Sequence, residues 1–194
     1  PLLILFGYMA SVIWASAPVL AASTAGRFGI PLWTMPVIGG VLLGIIALAF
    51  PQVLGVGFEP LAAAIAGNYG AEIMPVLLIA KIAAASATIA FRWGGGPIAP
   101  ALFVGAMAGS SLAVVAGLIF GIPAPQVYLG VLGMAICVAV LLDAPFAAAV
   151  LALELSGSPE IGGASLLACF IACMAVRRLA PMPADETGPT LRWR

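Results

Sequence analysis

Residues 92–100, with the sequence RWGGGPIAP, decide the fold because they place three glycines and two prolines between two long apolar segments. The apolar segments at residues 71–90 and 98–120 are each long enough to cross a lipid bilayer. Non-helical backbone at membrane depth is tolerated only where protein buries it or where it lines a watery cavity, since unpaired polar groups are costly in hydrocarbon. The break is therefore a candidate functional site.

The end of this break has the features of a helix N-terminus. Pro97 or Pro100 suits the first turn of a helix, and the apolar residues from Ile98 onward supply the helix itself. The first amides of a helix have no partner within it, and the helix dipole adds about half a positive charge at the same end. Glycines before the helix allow the backbone to approach a ligand closely. The sequence therefore predicts an anion site at this helix start, provided that it faces a cavity.

The composition indicates a membrane protein. Of the 194 residues, 64% are hydrophobic and 7% are charged, whereas a soluble domain carries about 25% charged residues. The mean hydropathy is +1.24. We therefore interpret the chain as an integral membrane protein with the lipid bilayer as a partner. Its net charge of zero gives no indication of a nucleic-acid partner.

Residues that would support catalysis or metal binding are scarce. Intramembrane proteases need a Ser–His pair, paired aspartates or an H-E-x-x-H motif, but the sequence has no histidine, and its aspartates are Asp143 and Asp185. We predict that the protein is not an enzyme. Cys137, Cys169 and Cys173 lie in apolar segments without metal-binding spacing, so we interpret them as small buried hydrophobic residues and predict no metal site.

Full-length and half-length apolar segments alternate along the chain. Segments long enough to span are predicted at residues 1–22, 32–50, 71–90, 98–120 and 161–179, and shorter ones at 61–66, 126–142 and 146–155. Discontinuous helices that end near the midplane are how channels and transporters present backbone dipoles to an ion. The alternation therefore favours passage of an ion or a small solute.

Glycines four residues apart recur in these segments. Small residues at this spacing let two helices approach closely, so we interpret them as packing positions rather than functional ones. The pairs are Gly40 and Gly44, Gly105 and Gly109, and Gly117 and Gly121.

The polarity of the chain changes near its end. We predict a transmembrane helical domain at residues 1–180 and a polar, proline-rich tail at residues 181–194. Four arginines lie close to the C-terminus, which places this end in the cytoplasm by the positive-inside rule. They are Arg177, Arg178, Arg192 and Arg194. Because the sequence starts with Pro1 inside an apolar segment, we expect it to be part of a longer protein.

Three charged residues need partners or a role. Lys81 lies near the middle of a predicted span, and we expect it either to form a structural ion pair or to lie on an ion pathway. Glu154 lies at the end of a half-length segment, where we expect it to bond neighbouring backbone amides, with a proton relay as the alternative. Asp143 stands beside Pro145 at a helix start and indicates an N-cap.

Several short motifs occur in an order that is typical of one family. Residues 96–100 (GPIAP) are preceded by GVGF at 55–58, AGNY at 66–69 and Lys81, and are followed by the motifs GVLGMA at 130–135, DAP at 143–145 and LEL at 153–155. Together they resemble the CLC chloride channels and proton-coupled chloride transporters, whose G-x-F-x-P motif residues 96–100 resemble. The resemblance covers about residues 32–179 and corresponds to the second half of the CLC membrane domain.

This resemblance implies an all-α integral membrane fold. It would be a CLC-like bundle of tilted full-length and half-length helices, the second of two inverted repeats, in a homodimer with one ion pathway per subunit. The implied function is transport of chloride or a related anion, by a channel or a chloride/proton antiporter in a bacterial-type plasma membrane. No cofactor is implied beyond bound chloride or another small anion. The alternative is a non-transporting, degenerate structural or regulatory subunit, which needs only packing.

The resemblance also implies partners and site residues. The first-half motifs G-S-G-I-P and G-[KR]-E-G-P do not occur in the sequence, so the missing N-terminal half of the same protein is an expected partner. The chloride-binding amides of the family fall at Pro97 and Ile98, but proline has no N–H, and Ile98 replaces a phenylalanine. We therefore predict an anion site of Gly96, Pro97, Ile98, Ala99 and Pro100, with Ile98 and Ala99 as donors. Residues 180–194 contain no counterpart of the family's tyrosine ligand.

Overall fold

The computed structural model describes residues 31, 33–70, 72–91, 93, 95–121 and 125–179. These residues form an all-α structure, which confirms the predicted fold class. Its helices are α1 (Met35–Ala49), α2 (Phe58–Ile65), α3 (Ile73–Ala90), α4 (Ile98–Phe120), α5 (Gln126–Leu142), α6 (Pro145–Ser156) and α7 (Pro159–Leu179), with a 3-10 turn at Pro51–Val53. The predicted segment at residues 1–22 and the tail at residues 181–194 lie outside the described residues.

The chain combines long and short helices, as the sequence predicts, but they do not strictly alternate, because α3 and α4 are both long and α5 and α6 are both shorter. Within the described part of the chain, three helical segments are long and apolar enough to cross a membrane, namely Ile73–Ala90, Ile98–Ile119 and Pro159–Arg178. The predicted bounds of α4 and α5 agree with the structure. The predicted span at residues 32–50 is wrong in length, because α1 has 15 residues and extends only about 22 Å at 1.5 Å per residue.

α4 lies at the centre of the bundle. Every residue from 101 to 111 is buried, and the helix packs against α2, α3 and, most extensively, α5. A Cβ atom at Gly105 would collide with the backbone of Gly133, and one at Gly109 would collide with the carbonyl of Leu129. The packing role predicted for Gly105 and Gly109 is therefore confirmed, since only glycine permits this approach.

Two other glycines do not pack as predicted. Gly121 follows α4 with a φ of 63°, so it ends the helix instead of joining a helix interface. Gly44 lies in α1, and a Cβ atom there would meet nothing within 4 Å. The four-residue spacing is the same in all these pairs, but Gly105 and Gly109, in the middle of α4, lie against a second helix, whereas Gly44 and Gly121 do not.

α7 packs on α5 and α6, and the cysteines lie in this part of the core. Cys137, Cys169 and Cys173 are all buried, and the Cys173 Sγ atom lies 3.4 Å from the carbonyl oxygen of Ala139. The interpretation of these residues as small buried hydrophobic side chains is therefore confirmed.

Asp143 does not cap α6, so this prediction is wrong. The residue ends α5 in a left-handed conformation, and Ala144 is the residue before α6. The Asp143 carboxylate instead accepts two hydrogen bonds from Arg177 on α7, at 3.3 Å from Nε and 2.7 Å from Nη2. Since both side chains are mostly exposed, this pair links the ends of α5 and α7 without contributing much stability.

Candidate functional site

α4 begins at Ile98, directly after the glycine-rich break. Pro97 precedes the first helical residue, and no side chain caps this end. The amide of Ala101 bonds the carbonyl of Pro97 at 3.1 Å, which starts the hydrogen bonds of the helix. Because Pro97 and Pro100 have no N–H, the amides of Ile98 and Ala99 are the donors at this end, and neither has a partner among the described residues.

This end of α4 lines a cavity of about 500 Å³ that is open to the surface of the described part of the chain. One wall is formed by the break and the first turns of α4, and the other by the loop before α2 and the first residue of α2. The lining residues are Gly96, Ile98, Ala99, Pro100 and Leu102 on the first side and Gly55, Val56 and Phe58 on the second. Gly96 has open space beside it, since a Cβ atom there would meet nothing within 4 Å.

The electrostatic character of this cavity comes from the backbone. None of its described lining residues carries a charge. The helix N-terminus, with two unpartnered amides and about half a positive charge, is therefore its principal polar feature. Such an arrangement can hold a small anion by hydrogen bonds from the backbone without burying a full opposite charge.

The break before α4 is anchored to α1 by two aromatic residues. The Trp93 Nε1 atom donates a hydrogen bond of 2.7 Å to the carbonyl oxygen of Pro36. A Cβ atom at Gly39 would lie 2.7 Å from the Cβ atom of Phe91, and one at Gly40 would lie 3.2 Å from the Trp93 ring. Gly40 therefore faces an aromatic ring rather than a second helix, which corrects its predicted packing role. These contacts hold Phe91 and Trp93, at the beginning of the break, against α1.

Lys81 points from α3 toward the loop that follows the 3-10 turn. Its side chain is 3% exposed, and Nζ donates hydrogen bonds of 2.8 Å to the carbonyl oxygens of both Val53 and Gly55. Nζ also lies 5.0 Å from the centre of the Phe103 ring, within the range of a cation–π interaction. No described carboxylate lies within 4.0 Å of Nζ, so the expected ion pair is replaced by bonds to backbone carbonyls.

The loop beside Lys81 connects it to the candidate anion cavity. A second cavity of about 180 Å³ is lined by Lys81, Gly55 and Pro100, together with Val53 and Thr88 among others. Gly55 and Pro100 also line the 500 Å³ cavity, so they lie between the two. Lys81 is thus close to the site but does not line its larger cavity, and its place on an ion pathway stays a prediction.

Glu154 lies apart from this site. It is exposed on α6, lines neither of these two cavities, and its carboxylate makes no hydrogen bond or ion pair with a described residue. The expected bonds to backbone amides do not form, because Glu154 is near the C-terminal end of α6, where carbonyls rather than amides lack partners. The proton-relay alternative stays a prediction.

The predicted site residues do not include the wall opposite α4, which the loop of residues 55–58 forms. The motif at residues 55–58 is visible in the sequence, but nothing in it indicates a cavity. Two signals point to this loop in retrospect. Gly55 has a φ of 62°, which favours glycine, and Lys81 needs carbonyl partners that a turn in such a conformation can supply.

Comparison with known proteins identifies the family. A family model described as voltage gated chloride channel matches residues 2–177. The chloride channel protein CLC-e of Arabidopsis thaliana is 34% identical over 144 residues, which cover 66% of this chain and 20% of that protein. An uncharacterized protein of Methanocaldococcus jannaschii is 31% identical over 136 residues, covering 70% of this chain and 33% of that protein.

A third relative is named as a transporter. The H(+)/Cl(−) exchange transporter ClcA of Salmonella agona is 28% identical over 155 residues, which cover 77% of this chain and 32% of that protein. The chain therefore spans between 20% and 33% of the length of these relatives. Because the family model matches almost the whole sequence, the chain belongs to the voltage gated chloride channel (CLC) family, as its motifs predict.

Proposed function

We propose that the full-length protein moves chloride or a related small anion across a membrane, and that the N-terminus of α4 forms part of its anion site. The observation that carries this proposal is the pair of unpartnered amides, Ile98 and Ala99, at the wall of a cavity of about 500 Å³ without charged lining residues. Family membership and the names of two relatives, a chloride channel and an H(+)/Cl(−) exchange transporter, support an anion as the transported solute.

A helix end suits transport better than a buried arginine or lysine ligand would. An ion that crosses a membrane must be bound well enough to leave water, yet weakly enough to leave the site again. About half a positive charge, spread over backbone amides, provides attraction without a full ion pair. Ile98 and Ala99 can supply two hydrogen bonds, and the remaining ligands would come from other parts of the full-length protein, including its N-terminal half.

The family, the apolar helices and the arginines at the end of α7 indicate how the protein lies in the membrane. The protein is an integral membrane protein, as its family and the three membrane-capable helical segments in its described part show. We place its C-terminal end in the cytoplasm, since Arg177 and Arg178 lie in the last turn of α7. We further propose a homodimer in a plasma membrane of the bacterial type, with either channel-like or proton-coupled movement of the anion.

Flux measurements on the reconstituted full-length protein test this function. Liposomes with and without the protein are loaded with chloride, fluoride or nitrate, and anion efflux is followed after the electrical potential is shunted. We expect chloride efflux well above that of empty liposomes. Proton movement opposite to chloride would identify an exchanger, and its absence a channel. If efflux of all three anions equals that of empty liposomes, the protein is the non-transporting alternative and the proposal is wrong.

A further inference from the structure

We propose that Lys81 is a positioning residue of the anion site, because it holds the loop of residues 54–57 in the conformation that forms the wall opposite the start of α4. This inference rests on the proposed function, since it takes the 500 Å³ cavity as the place of the anion. Lys81 acts on the anion through the loop and without touching it.

The contacts of Lys81 account for its buried amino group. A protonated lysine has three N–H donors and no acceptor. Two of them bond the carbonyl oxygens of Val53 and Gly55, and the face of the Phe103 ring lies 5.0 Å from Nζ on a further side. The two carbonyls belong to the end of the 3-10 turn and to the loop itself. A single side chain thus fixes both the turn and the loop to α3.

The loop of residues 54–57 has few other hydrogen bonds to the rest of the described chain. Leu54, Gly55 and Val56 are exposed, and the loop backbone bonds the rest of the chain at its ends, from the Leu54 amide to Pro51 and from the Leu61 amide to the Gly57 carbonyl. Among the described residues, Lys81 is the one side chain that hydrogen-bonds this segment. Removing its amino group should therefore free the middle of the loop.

The position of this loop matters for an anion because Gly55 and Val56 line the same cavity as the amides of Ile98 and Ala99. Carbonyl oxygens carry partial negative charge, and an oxygen that turned toward the cavity would oppose an anion there. Lys81 binds two such oxygens on the other side of the loop. It thereby keeps the helix N-terminus as the dominant electrostatic feature of the cavity.

The test compares Lys81→Met, Lys81→Arg and a control in the full-length protein. Methionine keeps an apolar stem of similar length but has no donor, whereas arginine keeps both the donors and the charge. Ser86→Ala is the matched control, since Ser86 is buried on the same helix and its hydroxyl has no partner among the described residues. Hydrogen exchange of residues 51–60 reports the loop, and chloride efflux at a series of chloride concentrations reports the site.

We expect Lys81→Met to speed amide exchange in residues 51–60 and to raise the half-saturating chloride concentration about tenfold, an effect typical of one lost hydrogen-bonding group. Its maximal efflux should change much less. Lys81→Arg should restore most of the affinity, and Ser86→Ala should behave like the wild type in both measurements.

A second variant keeps the test decisive if Lys81→Met does not fold. Gly55→Ala leaves Lys81 in place and meets no atom within 4 Å, but it strains the backbone at a φ of 62°. We expect it to raise the half-saturating chloride concentration about threefold, because the left-handed conformation is strained for alanine and this strain shifts the loop.

The outcomes separate this inference from the proposed function. Wild-type efflux with an unchanged half-saturating chloride concentration in Lys81→Met overturns the role of Lys81 and leaves the proposed function standing. If Lys81→Met cannot be prepared, an unchanged half-saturating chloride concentration in Gly55→Ala overturns the role of Lys81 and also leaves the proposed function standing. Unaltered amide exchange in Lys81→Met shows that it does not hold the loop. Wild-type efflux equal to that of empty liposomes overturns the proposed function, and this inference with it.

Discussion

The first turn of α4 and its middle use glycine for opposite purposes. In the middle, Gly105 and Gly109 lie against the backbone of α5, so closely that a single methyl group would collide with it. Just before the first turn, Gly96 borders open space, at the wall of a cavity. One helix thus combines a packed, glycine-dependent centre with an end that is left available to a ligand.

This difference shows how packing at the centre of a helix can fix the position of its end. The centre of α4 is buried among α2, α3 and α5, which holds the helix axis in place. The position of the Ile98 and Ala99 amides therefore depends on packing elsewhere rather than on contacts at the cavity. Substitutions in the centre should affect folding, and substitutions at the first turn should affect anion binding.

The largest effect is expected in the packed centre. Gly109→Ala places a methyl group against the carbonyl of Leu129, a backbone atom that cannot move without separating α4 from α5. We expect a loss of about 3 kcal/mol or more, at the upper end of the cost of overpacking. Thermal unfolding of the purified protein in detergent measures this. Ala108→Gly, on the buried part of the same helix, removes a methyl group instead, and a loss as large as that of Gly109→Ala would contradict the packing argument.

The sequence predicts the helices of this region well. The bounds of α4 and α5 follow directly from apolar segments that glycines and prolines interrupt, and such breaks are local properties of the chain. The first turn of α4 as an anion site could be proposed for the same reason, because the loss of amide partners at a helix start is also local. That the site faces a cavity is a finding of the structure.

Other features depend on distant parts of the chain and could not be predicted. The carbonyl partners of Lys81 lie 26 and 28 residues earlier, and no local pattern indicates that this loop folds over α3. Asp143 beside a proline has the sequence of an N-cap, yet the end of α5 and the nearby Arg177 determine its conformation and contacts. Gly121 matches a packing motif in spacing, but it lies beyond the end of the helix.

The next largest effect is expected at the open end. Gly96→Val adds a branched side chain two residues before Ile98, in open space at the wall of the cavity. We expect the protein to fold with a stability change within about 0.5 kcal/mol, as for a surface position, while chloride affinity falls about tenfold because the side chain occupies space near the amides. Chloride titration by calorimetry measures the affinity. A folded variant with wild-type affinity would show that the anion does not bind near Gly96.

A gain of chloride affinity is expected from a substitution of Pro97, which lies between Gly96 and Ile98. Pro97→Gly adds an N–H group at the end of α4, beside the amides of Ile98 and Ala99. A hydrogen bond to a charged group contributes about 1.5–3 kcal/mol, and the added freedom of glycine costs about 1 kcal/mol, so chloride affinity should rise at least about twofold. Pro97→Ala is the matched comparison, because it also supplies an amide but with less backbone freedom. Unchanged or weaker binding in both variants would contradict the placement of the anion.

The last comparison is between two glycines that both border empty space but differ in backbone conformation. A methyl group at Gly44 or at Gly121 would meet nothing within 4 Å, but Gly44 is helical and Gly121 has a φ of 63°. Gly44→Ala should stabilise the protein by about 0.5–1 kcal/mol, because alanine loses less conformational freedom in a helix. Gly121→Ala should destabilise it by about 1–2 kcal/mol, because a left-handed conformation is costly for alanine. Thermal unfolding measures both, and chloride affinity should not change in either. If both variants were stabilised or both destabilised, the backbone conformation of Gly44 and Gly121 would not decide the effect of adding a methyl group.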